Sequence, residues 1–388
     1  MTTDLERWQS FLQQMNDLGT TITGPDFPHT EADQTEGLRH LALQVVCWLE
    51  WSVGHGDPYA PTFQRQNDLV RQWGGPNADN VYRHARVDAS LQYRIVGKMH
   101  SCSDFILAIR RNFMHMEGSG TIAELTAHDV GIGPGDDFEI LLGGEGDEPN
   151  RVPLPDGALS VSIREYYFDW QPEEPATFTI ERLDAAEPPG PFTSQALAAG
   201  LDEAATHAYR SLTYWNQYML DARAKQTDNE FGGRHDVPRG LQVAKYAFCF
   251  FDLAPDEALI VESDIPESRY WSWHLYNLAW WEALEYTSRV TTLNHTQARV
   301  SGDGKLRFVV AHQDPGVPNW LDTEARREGL LTLRWFWPTG DAPAPTTRVV
   351  KFDEVTAALP ADTPAVDAAA RRAEIKARRD HLAWRFRS

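Results

Sequence analysis

Apolar residues recur at helical spacing near the start of the chain. Leu5, Trp8, Leu12, Met15 and Leu18 sit three or four positions apart, and Thr3 and Glu6 stand at capping-box spacing around them. A first helix is expected. Leu38, Leu41, Ala42, Val45, Val46 and Leu49 make a second helical stripe, ended near Gly54 with Asp57 and Pro58 just beyond. The period then changes to short alternating runs at Gln92 to Val96, Asp104 to Arg110, Phe138 to Leu142, Leu159 to Tyr167 and Thr177 to Ile180. Turn-forming clusters such as Gly131 to Asp136 divide them, so an antiparallel β region is expected. Leu183 to Ser194, with Pro188, Pro189 and Pro191, reads as a connector, and Leu201 to Arg223 as one long helix. A second β region follows, with strands expected at Val243 to Phe251, Tyr270 to Leu278, Gln297 to Val300, Leu306 to His312 and Leu330 to Trp337. Gly302-Asp303-Gly304 is a tight-turn signal that joins two of them as a hairpin.

These patterns predict a mainly β protein with flanking helices, an antiparallel β-sandwich or jelly-roll-like fold with two β regions joined by a long helix. The expected divisions are a helical segment over 1–75, a first β region over 76–190, a linker and long helix over 191–240, a second β region over 241–352 and a basic helix over 353–388. In that last helix Arg371, Arg372, Lys376, Arg378, Arg379, Arg385 and Arg387 outnumber the acids. Docking on an acidic body is one reading, and anion or membrane binding the other.

Composition narrows the function. The chain has 388 residues, 42% of them hydrophobic and 24% charged, as in soluble globular proteins. Its formal charge of -20 repels phosphate backbones and anionic membrane surfaces, so neither nucleic acid nor membrane is an expected partner. The start of the chain lacks a basic and apolar leader, no run approaches a membrane span, and Cys47, Cys102 and Cys249 form no CxxC pair. A cytoplasmic protein is expected. With 14 Trp against 17 Phe, ring-lined surfaces are expected too.

The densest chemistry lies in Arg269 to Leu278. Strand alternation there puts Trp271, Trp273 and Leu275 on one face and Tyr270, Ser272, His274 and Tyr276 on the other. The second set is either a pocket wall or a solvated sheet face, with Asn277 and Trp280 beside it. His312 ends an apolar row and opens a loop holding Asp314, Asn319, Trp320 and Asp322. His312 with Asp314 has the makings of an acid/base pair; the alternative is a rigid crossover in which Asp314 and Asp322 cap backbone amides. Arg164 can fork a carboxylate or sulfate, or pair with a neighbouring acid. His274, His295, His312, Asp314 and Asp322 include metal-ligand types but no HxxxH or HExxH spacing; no cofactor is expected, and a metal stays open. There is no GxSxG elbow, GxxxxGK loop or strand-to-helix GxGxxG.

Tyr270 to Asn277, Asn294, Phe308 to Asp322 and Arg334-Trp335 together resemble the bacterial family called domain of unknown function 1214. Asn77 to Tyr82 and Tyr93 to Gly97 are similar to the segment preceding that domain in longer members, so the likeness spans roughly Gly74 to Val350. The resemblance implies a β-sandwich or jelly-roll-like fold of a kind discussed for carbohydrate-related roles, and it carries over no catalytic residues. Ala325 departs from the glycine common at that position, so a different bend is expected at the loop's exit.

The function expected is that of a hydrolase or lyase acting by general acid/base chemistry on a polar, ring-bearing ligand such as a glycoside or saccharide. His312, Asp314 and His274 are the expected catalytic groups; Trp273, Tyr276, Asn277, Trp280, Asn294, His295, Asn319, Trp320, Asp322 and Arg164 are the expected ligand contacts. The alternatives are a non-catalytic carbohydrate- or small-molecule-binding module and a self-associating protein with Trp faces at homo-oligomer interfaces.

Overall fold

Helix α1 (Asp4–Ile22) starts where the sequence places it, with the Thr3 and Glu6 side chains closing a capping box. Its buried side is Phe11, Met15, Leu18 and Ile22, whereas Leu5, Trp8 and Leu12 are exposed. The expected stripe is therefore corrected by about one position. Helix α2 (Glu31–Leu49) has a second capping box, Thr30 with Asp33, and runs into a π-helical turn, Glu50–Gly54. The computed structural model describes residues 2–28, 30–170, 174–183, 189–233, 241, 243–341 and 343–387. Pro188 of the expected connector lies outside them.

The protein is mainly β, with four antiparallel or mixed open sheets among the described residues and helices towards both ends of the chain. It folds as two units. Met1–Pro76, Asn80–Tyr167 and Glu174–Gln217 form the first; Asn77–Asp79, Phe168–Glu173 and Tyr218–Ser388 form the second.

In the first unit, strands β1 (Gln64–Gln66), β2 (Asn80–Arg86), β3 (Tyr93–Lys98), β4 (Asp104–Arg110), β5 (Thr121–Thr126), β6 (Asp137–Leu142), β7 (Arg151–Val152), β8 (Ser160–Tyr166) and β9 (Thr177–Arg182) make two sheets, β1-β2-β8-β4-β5 and β7-β6-β3-β9. Helix α3 (Ser194–Arg223) follows. An aromatic box of Trp48, Trp73 and Phe113 encloses His115 and His207, whose ring nitrogens approach to 2.9 Å.

The second unit is a sandwich. Strands β10 (Ala244–Asp252), β11 (Glu257–Ser263), β12 (Ser268–Tyr276), β13 (Thr292–Asn294), β14 (Leu306–Ala311), β15 (Trp320–Asp322), β16 (Glu328–Pro338) and β17 (Thr346–Lys351) form sheets β10-β16-β12-β13 and β15-β14-β11-β17. Between the sheets lie Cys249, Phe251, Leu259, Val261, Trp271, Trp273, Phe308, Val310, Leu333 and Trp335, drawn from alternate positions of their strands. The outer face of β11 and β14 presents Ile260, Val309 and Ala311, which pack with Trp320, Val355 of the short helix α4 (Val355–Ala358) and Leu359. Helix α5 (Ala368–Phe386) is capped by Asp367.

Gln297–Val300, expected as a strand, is a turn apart from a single bridge of Val300 to Leu306. Asn294 causes this: its side-chain oxygen accepts the amides of Thr296 and Gln297, which curls the chain immediately after β13. The Gly302 to Gly304 turn is present, closed by the Ser301 amide on the Lys305 carbonyl with Gly304 at φ 82°.

Candidate functional site

Alternation along β12 sends Trp271, Trp273 and Leu275 into the sandwich core. Tyr270, Ser272, His274 and Tyr276 occupy the opposite face, where Ser272 pairs with Arg334 and Asn294, and His274 with Thr332 and Thr292. All of these residues are buried, which demands polar partners for each of them.

Those partners centre on Asp79. The Tyr270 hydroxyl donates to Asp79 Oδ2, while Asn294 Nδ2 and Trp170 Nε1 donate to Oδ1 at 2.8 and 2.6 Å. Ser272 Oγ lies 2.7 Å from Tyr270 Oη and 2.8 Å from His274 Nε2. The groups thus form a continuous row, Asp79 to Tyr270 to Ser272 to His274. Thr292 Oγ1 is 3.3 Å from the same imidazole nitrogen, and Nδ1 on the other side of the ring is buried with no partner among the described residues. Burial, with the charges of Arg334 and Arg378, holds the His274 pKa well below 6.5, so its ring is neutral at neutral pH. Burial and the neighbouring Asp79 push the Tyr270 phenol well above 10.

Helix α5 brings a second set of groups. Arg371, Arg378 and Arg385 are seven positions apart and all buried, as residues on one helix face are. Arg378 and Arg385 lie over the Trp170 ring at 4.6 and 4.9 Å, and His381 stacks on it at 5.5 Å. Arg385 donates to the Ala78 carbonyl. Across the β12 face, Arg334 donates to the Tyr276 hydroxyl.

The expected site residues divide between this face and purely local bonding. His274, Tyr276 and Asn294 belong to the face, and His295 sits edge-on to Phe168 and Tyr270, its pKa lowered by burial. Trp273 is in the sandwich core. His312 and Asp314 are engaged separately: the imidazole meets Thr323 Oγ1 at 2.6 Å and the Ala254 carbonyl at 3.2 Å, while the carboxylate accepts from Arg371 and from the Gly316 amide. Asn277 shapes the turn to Glu282, accepting the amides of Trp280 and Glu282, and Trp280 is buried there. Asn319 ties down the Arg299 and Arg307 carbonyls, Trp320 Nε1 donates to the Ala311 carbonyl, and Asp322 bonds Arg289 and the Glu324 amide. Asn319 also edges a cavity of about 260 Å³ with Arg299, Arg307 and Asp362. Arg164 belongs to the first unit and lies over the Tyr82 ring. Among the described residues, no three of His, Cys, Asp or Glu converge as a metal site, and no helix is long and apolar enough to cross a membrane.

Sequence reasoning gave no role to Asp79, Trp170 or Arg378. Asp79 stood inside the Asn77 to Tyr82 segment that carried the family resemblance, and Arg378 in the basic helix. Neither position announces a partner in β12.

One solved structure shares this architecture. No curated protein matches the chain. Among solved structures, the crystal structure of an uncharacterised protein from Burkholderia cenocepacia has 28% sequence identity and a TM-score of 0.84, over 91% of this chain and 98% of that one. A protein from Vibrio parahaemolyticus matches at 13% identity with a TM-score of 0.47, over 81% of this chain and 99% of that one. The segment that holds His274 and the His312 loop is matched over residues 252–340 by the family described as Protein of unknown function (DUF1214).

Proposed function

We propose that the protein is a hydrolase or lyase acting by general acid/base chemistry on a polar, ring-bearing small molecule such as a glycoside or saccharide, with its proton-transfer centre at His274. The observation that carries this reading is the buried row from Asp79 through Tyr270 and Ser272 to a neutral imidazole. A neutral imidazole keeps a lone pair free for a proton, and hydroxyls that both donate and accept can relay it towards a carboxylate without movement of heavy atoms. Phe168, stacked on Tyr270, and Tyr276 at the far end of the strand are flat rings of the kind that CH groups of a sugar favour. Turnover on a panel of glycosides tests the proposal. His274→Gln should lower it by about 100-fold or more, the usual worth of such a group, and His312→Gln by less than about twofold. Full turnover in His274→Gln overturns it.

A second reading, a non-catalytic small-molecule-binding module, draws on the side chains of Asp314, Asn319 and Asp322, all of which bond protein groups. Saccharide binding without turnover by the wild type would favour it.

A further inference from the structure

We infer that the surroundings of Arg378 form an oxyanion-binding site, so that the ligand is acidic and bears a carboxylate or phosphate group. The inference rests on the reading above in placing the ligand at this face, and it names the ligand's class. Three arginines at seven-residue spacing on α5 provide an internal comparison. Arg371 is fully engaged by Asp314, Glu374 and the Val317 carbonyl, and its guanidinium covers Trp320. Arg385 bonds the Ala78 carbonyl.

Arg378, between them, is 3% exposed, and its three guanidinium nitrogens are buried with no hydrogen-bond partner among the described residues. Its guanidinium carbon lies over the Trp170 ring at 4.6 Å, a contact that takes up none of its N–H groups in a hydrogen bond. The acids in its field are already occupied. Asp79 accepts from Tyr270, Asn294 and Trp170; Glu374 is held by Arg371; Glu285 is held by Thr287 and Ser288. Burial lowers the Arg378 pKa only to about 10, so the group stays charged at neutral pH.

The fork has company. His274 Nδ1 is likewise buried without a described partner, and Arg334 and Arg378 both act electrostatically on that ring. Arg334, Arg378 and Arg385 are all buried in the unit that holds Asp79. Concentrated positive charge in a low-dielectric setting favours small anions, even in a chain of net charge -20. A guanidinium fork matches the geometry of a carboxylate or phosphate.

The test uses the full chain, with thermal unfolding and calorimetric titration against inorganic phosphate, glucuronate, glucose 6-phosphate and glucose, ionic strength being held constant with chloride. The acidic probes should raise the melting temperature and bind at least about tenfold more tightly than glucose. Arg378→Met should weaken their binding by about tenfold or more, and Arg379→Met, at an exposed neighbour, should not. If Arg378→Met fails to fold, Arg378→Lys, which keeps the charge but loses the fork, should show the same direction of loss. The inference is overturned if no acidic probe shifts the wild type beyond the chloride control, or if the folded Arg378 variants bind like wild type. Acidic probes bound through Arg378 with no glycoside or glucuronide turned over would refute the enzymatic reading alone. Glucose bound as tightly as glucuronate, with turnover intact, would refute the anionic class alone.

Discussion

His312 and Asp314 are two positions apart in sequence, and their side chains go to different partners, Thr323 and Arg371. Tyr270 and Asp79 are 191 positions apart and share a buried hydrogen bond. The contrast lies in where regular backbone ends. Side chains two apart share a face only while the strand continues, and β14 stops at Ala311, so the turn through Pro315 and Gly316 carries Asp314 to α5. β12 keeps its alternation through nine residues, and its inward and outward sets are therefore well defined. Acid and imidazole meet where a sheet face collects residues from distant segments.

The contrast is tested most severely by removing each acid. Asp79→Ala leaves the Tyr270, Asn294 and Trp170 donors buried and unmatched near Arg378, and should cost about 3–5 kcal/mol of unfolding free energy. Asp314→Ala breaks a pair whose arginine is also held by Glu374 and the Val317 carbonyl, and should cost about 1 kcal/mol. Urea unfolding of both variants gives the ratio. Equal losses would erase the distinction between the two regions.

Titration gives a smaller effect. Because the folded-state pKa of His274 is depressed below its unfolded value near 6.5, its contribution to stability is complete above that pH and is lost as pH falls towards the folded pKa. In that window one histidine contributes a slope of about 1.4 kcal/mol per pH unit. His84, His115, His207 and His295 are also held low by burial and add slopes of the same sign. His274→Gln should flatten the fall in stability between about pH 6.5 and 5.5 by one histidine's share, measured by denaturant midpoints across pH. An unchanged slope would mean that the buried row does not hold the ring neutral.

How much of this was legible depends on the range of the signal. The Thr3 capping box, the strand Asp104–Arg110 and the Trp271/Trp273 core face are encoded by residues a few positions apart, and periodicity reads them directly. The β13 turn was misread because one Asn side chain, binding amides two and three residues on, outweighed the apolar alternation of Gln297 to Val300. The ionisable site was half legible. His274 and its neighbours follow from alternation, but Asp79, Trp170 and Arg378 reach them from separate parts of the chain, and no local pattern encodes that meeting.

The smallest predicted effect falls in the His312 region, at the exit from its loop. Glu324 and Ala325 both adopt left-handed conformations, φ 55° and 58°, so the bend is made without a glycine. The backbone there is pinned by the Glu324 amide on Asp322 and the Glu324 carboxylate on the Glu285 amide, contacts that do not involve the Ala325 methyl. A left-handed alanine costs about 1–2 kcal/mol, and glycine's greater freedom in the unfolded chain returns about 0.4–1 kcal/mol of that. Ala325→Gly should therefore raise stability by up to about 1.6 kcal/mol, read as a higher urea midpoint at constant slope, and leave the His274 row unaffected. A lower midpoint would show that the methyl group packs usefully enough to justify the strained bend.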